Sequence, residues 1–231
     1  KYGTYKFNMF MAHLKQHKDE VTKLRIKLDN DTRLSDLVEL SNLKELNLTI
    51  DNTKSTIIFD AKTWWPKLES LTVAMSNTSV EQITLPQTLL RFRLWVFRCN
   101  GKIKIDEDLP NLESLDLSHI QRTSTFALCV KLKYIHFHDN NIDLSPTWTA
   151  IETFYYQNEN IKFVQIPETW TKICRLELHG CGIVSPPTTL TYLEIRETTG
   201  FLMAKLQLQK MTNLKTLILY DSHNTSVTIS I

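Results

Sequence analysis

The side chains best suited to chemistry in this chain are three histidines at related places in its sequence pattern. His136 and His138 are two residues apart, which puts them on the same side of an extended strand at a separation of roughly 6–7 Å. His179 falls two strands further along, roughly 10 Å away at ordinary strand spacing. A zinc site needs ligand atoms that converge at about 2 Å from the metal. We therefore predict that these histidines bind no metal and that the protein carries no cofactor.

Nucleophilic and phosphate-binding chemistry lack their sequence signatures as well. No Cys or Ser stands with a His and an Asp in a recognisable nucleophile motif, and the chain contains neither a GxGxxG nor a Walker pattern. The run from His179 to Gly182 is glycine-rich, but it lies where a strand is predicted to end, so we interpret it as a tight turn. The sequence predicts no enzyme.

The composition is that of an ordinary folded domain. Apolar residues make up 42% of the 231 residues and charged residues 23%, and 27 basic side chains balance 25 acidic ones for a net charge of +2. The longest apolar run has five residues, 126–130, whereas a membrane-spanning helix needs about 20. We expect no membrane segment and no signal peptide in this stretch. Because it begins at Lys1 rather than Met, we expect a fragment whose targeting signals lie elsewhere.

The four cysteines indicate a reducing compartment. They are scattered, without CxxC spacing or a dense framework, so free thiols fit better than disulfides. A bridge between Cys174 and Cys181 stays open as the alternative. Four N-x-S/T sequons occur, and we interpret them as chance occurrences. We predict an intracellular protein, cytoplasmic or nuclear.

A motif of the form apolar-x-x-apolar-x-apolar organises the chain, recurring at steps of 17 to 25 residues. Positions four and six of the motif are two apart and so point to the same face of one short strand. Segments 77–86 and 141–149 break any heptad periodicity, which excludes a helical zipper. The ten copies are Val21-Leu24-Ile26, Leu43-Leu46-Leu48, Leu68-Leu71-Val73, Leu89-Phe92-Leu94, Leu112-Leu115-Leu117, Leu132-Ile135-Phe137, Ile151-Phe154-Tyr156, Ile173-Leu176-Leu178, Leu190-Leu193-Ile195 and Leu214-Leu217-Leu219.

This pattern resembles the leucine-rich-repeat family over nearly the whole chain. The copies at residues 132–142 and 173–183 are closest to the consensus, and they carry Asn140 and Cys181 at the ninth place. The family uses that place for a buried polar side chain, but most other copies do not keep it. The resemblance implies an α/β fold, an irregular leucine-rich-repeat solenoid with a curved parallel sheet of about ten short repeats. Each repeat would bury its apolar face only against its neighbours.

The two ends of the chain predict different elements. Phe7, Phe10, Met11, Leu14 and Val21 fall at helical spacing, which predicts an amphipathic helix over residues 8–22. We assign residues 1–20 to an N-terminal capping helix and residues 21–231 to the solenoid. At the other end, alternating apolar residues from 227 onward predict one more strand. We expect its exposed apolar edge to be covered either by a continuation of the chain or by a partner.

Positions three, five and seven of each repeat are predicted to project onto the concave face of the solenoid. Aromatic and imidazole side chains collect there over the middle and later repeats, and Tyr, Trp and Arg are enriched at binding hot spots. We predict a partner-binding surface made of Arg91, Arg93, Trp95, Tyr134, His136, His138, Tyr155, His179, Tyr192 and Tyr220.

The first strand of this face is basic, with Lys23, Arg25 and Lys27. A basic patch can follow phosphates, but the near-neutral total charge and the interrupting strands disfavour nucleic acid as the partner. We interpret the basic strand as a solvated face.

The predicted function is a non-catalytic protein–protein interaction module that binds a protein partner on its concave face. Irregular repeats, a helical lead-in and free cysteines look like the substrate-binding half of F-box/leucine-rich-repeat ubiquitin ligase adaptors. That resemblance implies a ubiquitin ligase core recruited through an upstream F-box, since residues 1–20 are too short to form one. Two alternatives stay open. One is a structural scaffold subunit of a larger complex, and the other is a secreted or surface receptor ectodomain, which would carry a Cys174–Cys181 bridge and glycans.

Overall fold

The computed structural model of the chain describes residues 2–29, 37, 40–51, 56–98, 104–105, 108–119, 128–138, 144–158, 163–183, 185–196, 208–220 and 226–230. These residues divide into two compact units. Unit 1 comprises Lys1–Asn111 with Thr123–Thr125, and unit 2 comprises Leu112–Arg122 with Phe126–Ile231. Among the described residues, no helix is both long and apolar enough to span a bilayer.

Unit 1 contains two parallel sheets. Its elements are α1 (Tyr2–Gln16), β1 (Lys23–Asp29), β2 (Glu45–Asp51), β3 (Thr56–Asp60), α2 (Ala61–Trp64), β4 (Ser70–Ser76), β5 (Ser79–Thr84), β6 (Arg91–Phe97) and β7 (Lys104–Ile105). The main ladder runs β1-β2-β4-β6, with every pair parallel. Strands β3, β5 and β7 form a second sheet in the segments that return the chain from one repeat to the next.

Unit 2 repeats the same plan. Its elements are β8 (Ser114–Ser118), β9 (Tyr134–His138), β10 (Thr153–Gln157), β11 (Phe163–Val164), β12 (Arg175–His179), β13 (Gly182–Ile183), β14 (Tyr192–Arg196), a 3₁₀ turn (Leu208–Lys210), β15 (Thr216–Tyr220) and β16 (Ser226–Ser230). The ladder β8-β9-β10-β12-β14-β15 is parallel, and β16 joins it antiparallel to β15. Strands β11 and β13 pair on the returning segments.

Positions four and six of the motif set the register of both ladders. In unit 1, Leu46 lies opposite Leu24 on one side and Leu71 on the other, and all three side chains are buried. The motif residues of unit 2 are stacked in the same way, from Leu115 through Ile135 and onward. Each such side chain contributes about 1.5–3 kcal/mol by leaving water. The result confirms the predicted architecture. The fold is a leucine-rich-repeat solenoid.

One hydrogen-bonded turn recurs before the strands. The backbone N–H at position one donates to the carbonyl three residues earlier, as Leu68 does to Trp65 at 3.1 Å and Leu132 does to Cys129 at 3.1 Å. The next two N–H groups then both donate to one carbonyl of the preceding repeat, as Lys133 and Tyr134 do to Glu113. These contacts satisfy the backbone hydrogen-bonding groups where the chain enters a strand. The repeats therefore differ in length in their other segments.

The ladder strands of the two units differ in length, and this difference explains why unit 1 does not keep the pattern at the ninth place. The ladder strands of unit 1 have seven residues and those of unit 2 have five. In unit 1 position eight adds a third buried row, which includes Ile50 and Met75. Position nine, Ser76 or Phe97, is therefore still in the strand and cannot serve the turn. In unit 2 the turn follows position seven, and Cys181 at position nine is fully buried. Asn140 lies outside the described residues.

The N-terminal helix does not have the predicted bounds. It spans Tyr2–Gln16 rather than 8–22, and Met11 and Leu14 are its buried side chains among those described. Val21 lies beyond the helix because it is position one of the first repeat. Its seven-residue spacing from Leu14 therefore does not indicate that the two residues share a helix. That this helix covers the first strand stays a prediction.

Strand β16 confirms the predicted alternation at the C-terminal side. Ile229 lies opposite Leu217 and Val227 opposite Leu219, so both extend the two buried rows of unit 2. Unlike those rows, Val227 and Ile229 are exposed.

Among the described residues, Cys129, Cys174 and Cys181 form no disulfide. The Cys174–Cys181 bridge that a receptor ectodomain would carry is therefore not formed. Cys99 lies outside the described residues.

Candidate functional site

Each unit presents an open face, defined here as the face of its ladder opposite the buried rows, made of positions three, five and seven. Successive side chains of a strand point to opposite faces, and the alternation of burial is clearest on β6. On β6, Phe92, Leu94 and Val96 are buried, whereas Arg91, Arg93 and Trp95 are exposed. All ten predicted binding residues lie on an open face, three in unit 1 and seven in unit 2.

The open face of unit 1 is dominated by aromatic and guanidinium groups on β6. The Trp95 side chain is 45% exposed and that of Phe97 is 55% exposed. The guanidinium of Arg93 lies 5.1 Å from the centre of the Trp95 ring, and that of Arg98 lies 5.0 Å from the Phe97 ring. Phe97 and Arg98 were not predicted. The alternation from position three to nine of β6 would have indicated Phe97 had the strand been taken as seven residues long.

The neighbouring strands of this face are polar and less prominent. Thr72 and Ala74 on β4 lie directly beside Arg93 and Trp95. Because their side chains are shorter, they project less far from the sheet than the β6 side chains do. On β1 and β2, Lys23 lies 3.0 Å from Glu45 and Lys27 lies 3.8 Å from Asp51. The basic first strand is thus balanced by acids on the next strand. Exposed pairs of this kind contribute at most about 1 kcal/mol.

On the open face of unit 2, a row of rings crosses three strands. The rings of His136 and Tyr155 have centroids 4.1 Å apart, and those of Tyr155 and His179 are 4.7 Å apart. Tyr134, on β9, is 48% exposed. His138 contacts Ser118, with 3.3 Å between Nδ1 and the hydroxyl oxygen. The prediction that these aromatic and imidazole groups share one face is therefore met by the strand positions within unit 2.

Two acids that were expected to project from this face are instead buried, namely Asp116 and Glu194. Asp116 lies 3.5 Å from Nδ1 of His136. Glu194 accepts hydrogen bonds from the hydroxyl of Tyr192 and from Nε of Arg196. Larger neighbours bonded to these carboxylates shield them from water, which a list of strand positions does not reveal.

The later strands carry a charged cluster that the sequence analysis did not select. Arg175 Nε lies 2.6 Å from Glu177 Oε1, and the same guanidinium lies 4.0 Å from the centre of the Tyr192 ring. Arg196 lies 4.4 Å from the centre of the Tyr220 ring. Tyr192 and Tyr220 are therefore stacked beneath cations and held in place. The signal that could have found Arg175, Glu177, Glu194 and Arg196 was their position on the same face as the selected aromatic residues.

These contacts shift the ionisation of the cluster. Burial alone would raise the pKa of Glu194, but the hydrogen bonds from Tyr192 and Arg196 outweigh it and lower that pKa. Burial and the adjacent Glu194 carboxylate raise the pKa of Tyr192 to about 12. Burial and the positive charge of Arg196 lower the pKa of His179 below its ordinary value. At neutral pH the cluster thus holds an ionised Glu194, a protonated Tyr192 and a neutral His179.

One part of this cluster could hold a metal ion. One carboxylate oxygen each of Glu177 and Glu194 and one ring nitrogen of His179 lie within 4.8 Å of one another. Of the three histidines considered in the sequence, only His179 belongs to this group.

Comparisons with known proteins identify a similar solved structure. No protein-family model matches the sequence, and no curated protein matches it. Among solved structures, one similar chain is an internalin from Listeria monocytogenes, at 13% identity and a TM-score of 0.38, over 91% of this chain and 78% of that chain. A likeness of this degree carries no argument about function, and the fold assignment rests on the strand register described above.

Proposed function

We propose that the chain is a non-catalytic protein-binding module whose partner sits on the open face, the predicted concave face. The observation that carries the proposal is the exposure of Trp95 and Phe97 on β6. The other face of this strand is fully buried. The large aromatic side chains that stay exposed on it provide apolar area that a binding partner would cover. With Arg93 and Arg98 stacked on them, they form the residue combination most enriched at interface hot spots.

The open face of unit 2 supports the proposal because contacts between its side chains hold them in place. The hydroxyl of Tyr155 lies 3.0 Å from both Gln157 Oε1 and His179 Nδ1. Arg175 and Arg196 hold the rings of Tyr192 and Tyr220. Side chains already fixed by such contacts lose little conformational entropy when a partner binds, and each immobilised flexible side chain would otherwise cost about 0.5–1.5 kcal/mol.

The partner class carries over from the sequence resemblance as a proposal. As in F-box/leucine-rich-repeat adaptors, the face would recognise a substrate protein, and a ubiquitin ligase core would join through a segment outside residues 1–231. We also propose an intracellular location, on the ground that the four cysteines are scattered in the sequence without the spacing of a disulfide framework. Recovery of ligase subunits with the full-length protein, and their loss with residues 1–231 alone, would support the adaptor proposal. Their absence from both would rule it out.

A structural scaffold is the second candidate, and strand β16 favours it. Val227 and Ile229 extend the buried rows of unit 2 yet are exposed, so another subunit could complete the core there. This candidate predicts that Val227→Ser/Ile229→Ser releases partners, whereas Trp95→Ala does not.

The test of the main proposal is affinity capture from source-cell extract followed by quantitative mass spectrometry. Each open-face variant has a control of similar exposure elsewhere in its own unit. In unit 1, Trp95→Ala is paired with Ile58→Ala on β3, where Ile58 is 59% exposed. In unit 2, Tyr134→Ala is paired with Leu128→Ala, where Leu128 is 49% exposed.

We expect the open-face variants to lose specific proteins that both controls retain, with unchanged circular dichroism spectra. If the open-face variants and the controls recover the same proteins in the same amounts, the open faces are not the binding surface.

A further inference from the structure

The charged cluster of unit 2 brings three possible metal ligands to one point. Glu177 and His179 are two residues apart on β12 and therefore share a face. Glu194 on β14 is the register partner of Glu177. One ligand atom from each of the three lies within 4.8 Å of the other two. A histidine nitrogen with two carboxylate oxygens is a donor set that zinc and neighbouring divalent transition metals accept.

The hydrogen bonds of Tyr155 determine which nitrogen of His179 is available. The Tyr155 hydroxyl donates its single proton to Gln157 Oε1 at 3.0 Å. Its 3.0 Å contact with His179 Nδ1 must then be one in which the imidazole N–H donates and the phenol oxygen accepts. In the tautomer that fits these two contacts, His179 carries its proton on Nδ1 and a lone pair on Nε2. Histidine ligands of metals are commonly oriented in this way, by a hydrogen bond from the nitrogen that does not bind the metal.

The lone pair on Nε2 has no partner in the protein. His179 Nε2 is shielded from solvent and makes no hydrogen bond. A buried acceptor without a partner costs free energy, and a site that keeps one calls for an explanation. A metal ion bound to Nε2 would supply the missing interaction.

The two carboxylates are held ready as ligands. Arg175 occupies Oε1 of Glu177, which leaves Oε2 for another contact. Tyr192 and Arg196 donate hydrogen bonds to Glu194, and each carboxylate oxygen can accept more than one interaction. The two guanidinium groups also reduce the negative charge at the site, so we expect micromolar rather than nanomolar affinity.

We propose that Glu177, His179 and Glu194 form a binding site for a divalent transition metal, with its remaining coordination positions open to water. Tetrahedral zinc at about 2.0–2.1 Å from each ligand brings ligand atoms to roughly 3.4 Å from one another, so the three side chains close inward on binding. Glu177 and His179 lie on the open face and are only half-buried. This site is independent of the protein-binding proposal.

Zinc chloride in isothermal titration calorimetry and cobalt chloride in visible absorption test the site. The parent protein for all variants should carry His13→Ala/His17→Ala, because the rings of His13 and His17, with centroids 4.6 Å apart, offer a second pair of imidazole ligands to added zinc. We expect one zinc per chain in this parent. His179→Ala and Glu177→Gln should weaken binding at least about tenfold. Tyr155→Phe should keep the stoichiometry and weaken binding about 10–100-fold, as loss of an orienting hydrogen bond does.

His138→Ala is the matched control, since it removes another histidine of the same open face, and it should bind zinc as the parent does. Circular dichroism confirms that each variant is folded, and Glu177→Gln tests the site if His179→Ala does not fold. The proposal is overturned if the parent binds no zinc at 100 µM. It is also overturned if both His179→Ala and Glu177→Gln bind zinc as tightly as the parent.

Discussion

The hydroxyl of Tyr155 lies 3.0 Å from Nδ1 of His179, a residue of the next repeat. The parallel register places Tyr155 beside Glu177 and Gln157 beside His179, so this one hydroxyl joins two strands across the open face. A repeat protein is stabilised by its core and by contacts between neighbouring repeats. The same contact orders the surface that we propose as a binding face.

The first prediction concerns the stability that this hydroxyl supplies. Tyr155→Phe should lower the free energy of unfolding by about 1 kcal/mol, because it leaves Gln157 Oε1 and His179 Nδ1 without their shared partner. Tyr134→Phe is the control, since Tyr134 is an exposed tyrosine on the adjacent strand. Urea denaturation followed by circular dichroism measures both. Equal stability of the two variants would show that the Tyr155 hydroxyl contributes nothing.

The second prediction concerns the alternation along a ladder strand. Leu48 is fully buried on β2 and Thr49 lies on the open face. Leu48→Ala should cost about 2–5 kcal/mol because it leaves a cavity in the core, whereas Thr49→Ala should stay within about 0.5 kcal/mol. If Leu48→Ala does not fold, Ile50→Val should still cost about 0.5–1.5 kcal/mol. If Thr49→Ala lowers stability and Ile50→Val does not, the buried and open faces of the strand have been assigned the wrong way round.

The third prediction is a pH dependence at Asp60. Its carboxylate accepts a hydrogen bond from the Thr63 N–H at 3.2 Å, at the start of α2, and another from the Thr84 hydroxyl. Burial alone would raise the pKa of Asp60, but these hydrogen bonds outweigh it and lower the pKa from 3.8. A carboxylate with a lowered pKa in the folded state stabilises the fold above its ordinary pKa. That stabilisation is lost as the pH falls through the folded-state pKa.

Hydrogen bonds to a charged acceptor contribute about 1 kcal/mol more than those to a neutral one, so Asp60→Asn should be about 1 kcal/mol less stable than the wild type at pH 6. The difference should shrink as the pH falls below 3.8. Urea denaturation across this pH range measures it. Asp19→Asn, at an exposed aspartate of the same unit, is the control. A stability difference that is constant with pH would contradict the assigned role of the Asp60 charge.

The fourth prediction concerns thiol reactivity. Burial raises the pKa of Cys181 to about 12, so about one molecule in ten thousand carries the reactive thiolate at pH 8. Cys129 is also buried, whereas Cys174 is half-buried and donates to the Glu152 carbonyl at 3.4 Å. Iodoacetamide should label Cys174 before Cys129 and Cys181 in the native protein, and all three at once in denaturant. Peptide mass spectrometry reads the order, and early labelling of Cys181 would show that its surroundings are open.

The main ladders could be predicted because their signal is local and repeated. Each copy of the motif fixes a strand, and the equivalence of Leu46, Leu71 and Phe92 within their copies is enough to place them side by side in the parallel register. The open-face positions follow from the same alternation, which is why Tyr155 and His179 were both selected. The motif is therefore sufficient to predict the features that depend on the sequence of one strand alone.

Features that depend on contacts between repeats could not be predicted in this way. Glu194 is an acid at an open-face position, and only its contacts with Tyr192 and Arg196 explain its burial. The group formed by Glu177, His179 and Glu194 likewise needs side chains from two strands in defined rotamers. The extended strands of unit 1 arise from a third buried row, which includes Ile50 and Met75, and that row lies outside the motif.

The most direct test of the central claim is site-specific photo-crosslinking in source-cell extract. A benzophenone amino acid replaces Trp95 or Tyr134 on the open faces, and Ile58 or Leu128 at the control positions of similar exposure. If a partner binds the open faces, we expect specific crosslinked proteins at positions 95 and 134 and none at positions 58 and 128. Crosslinks confined to positions 58 and 128 would contradict the account.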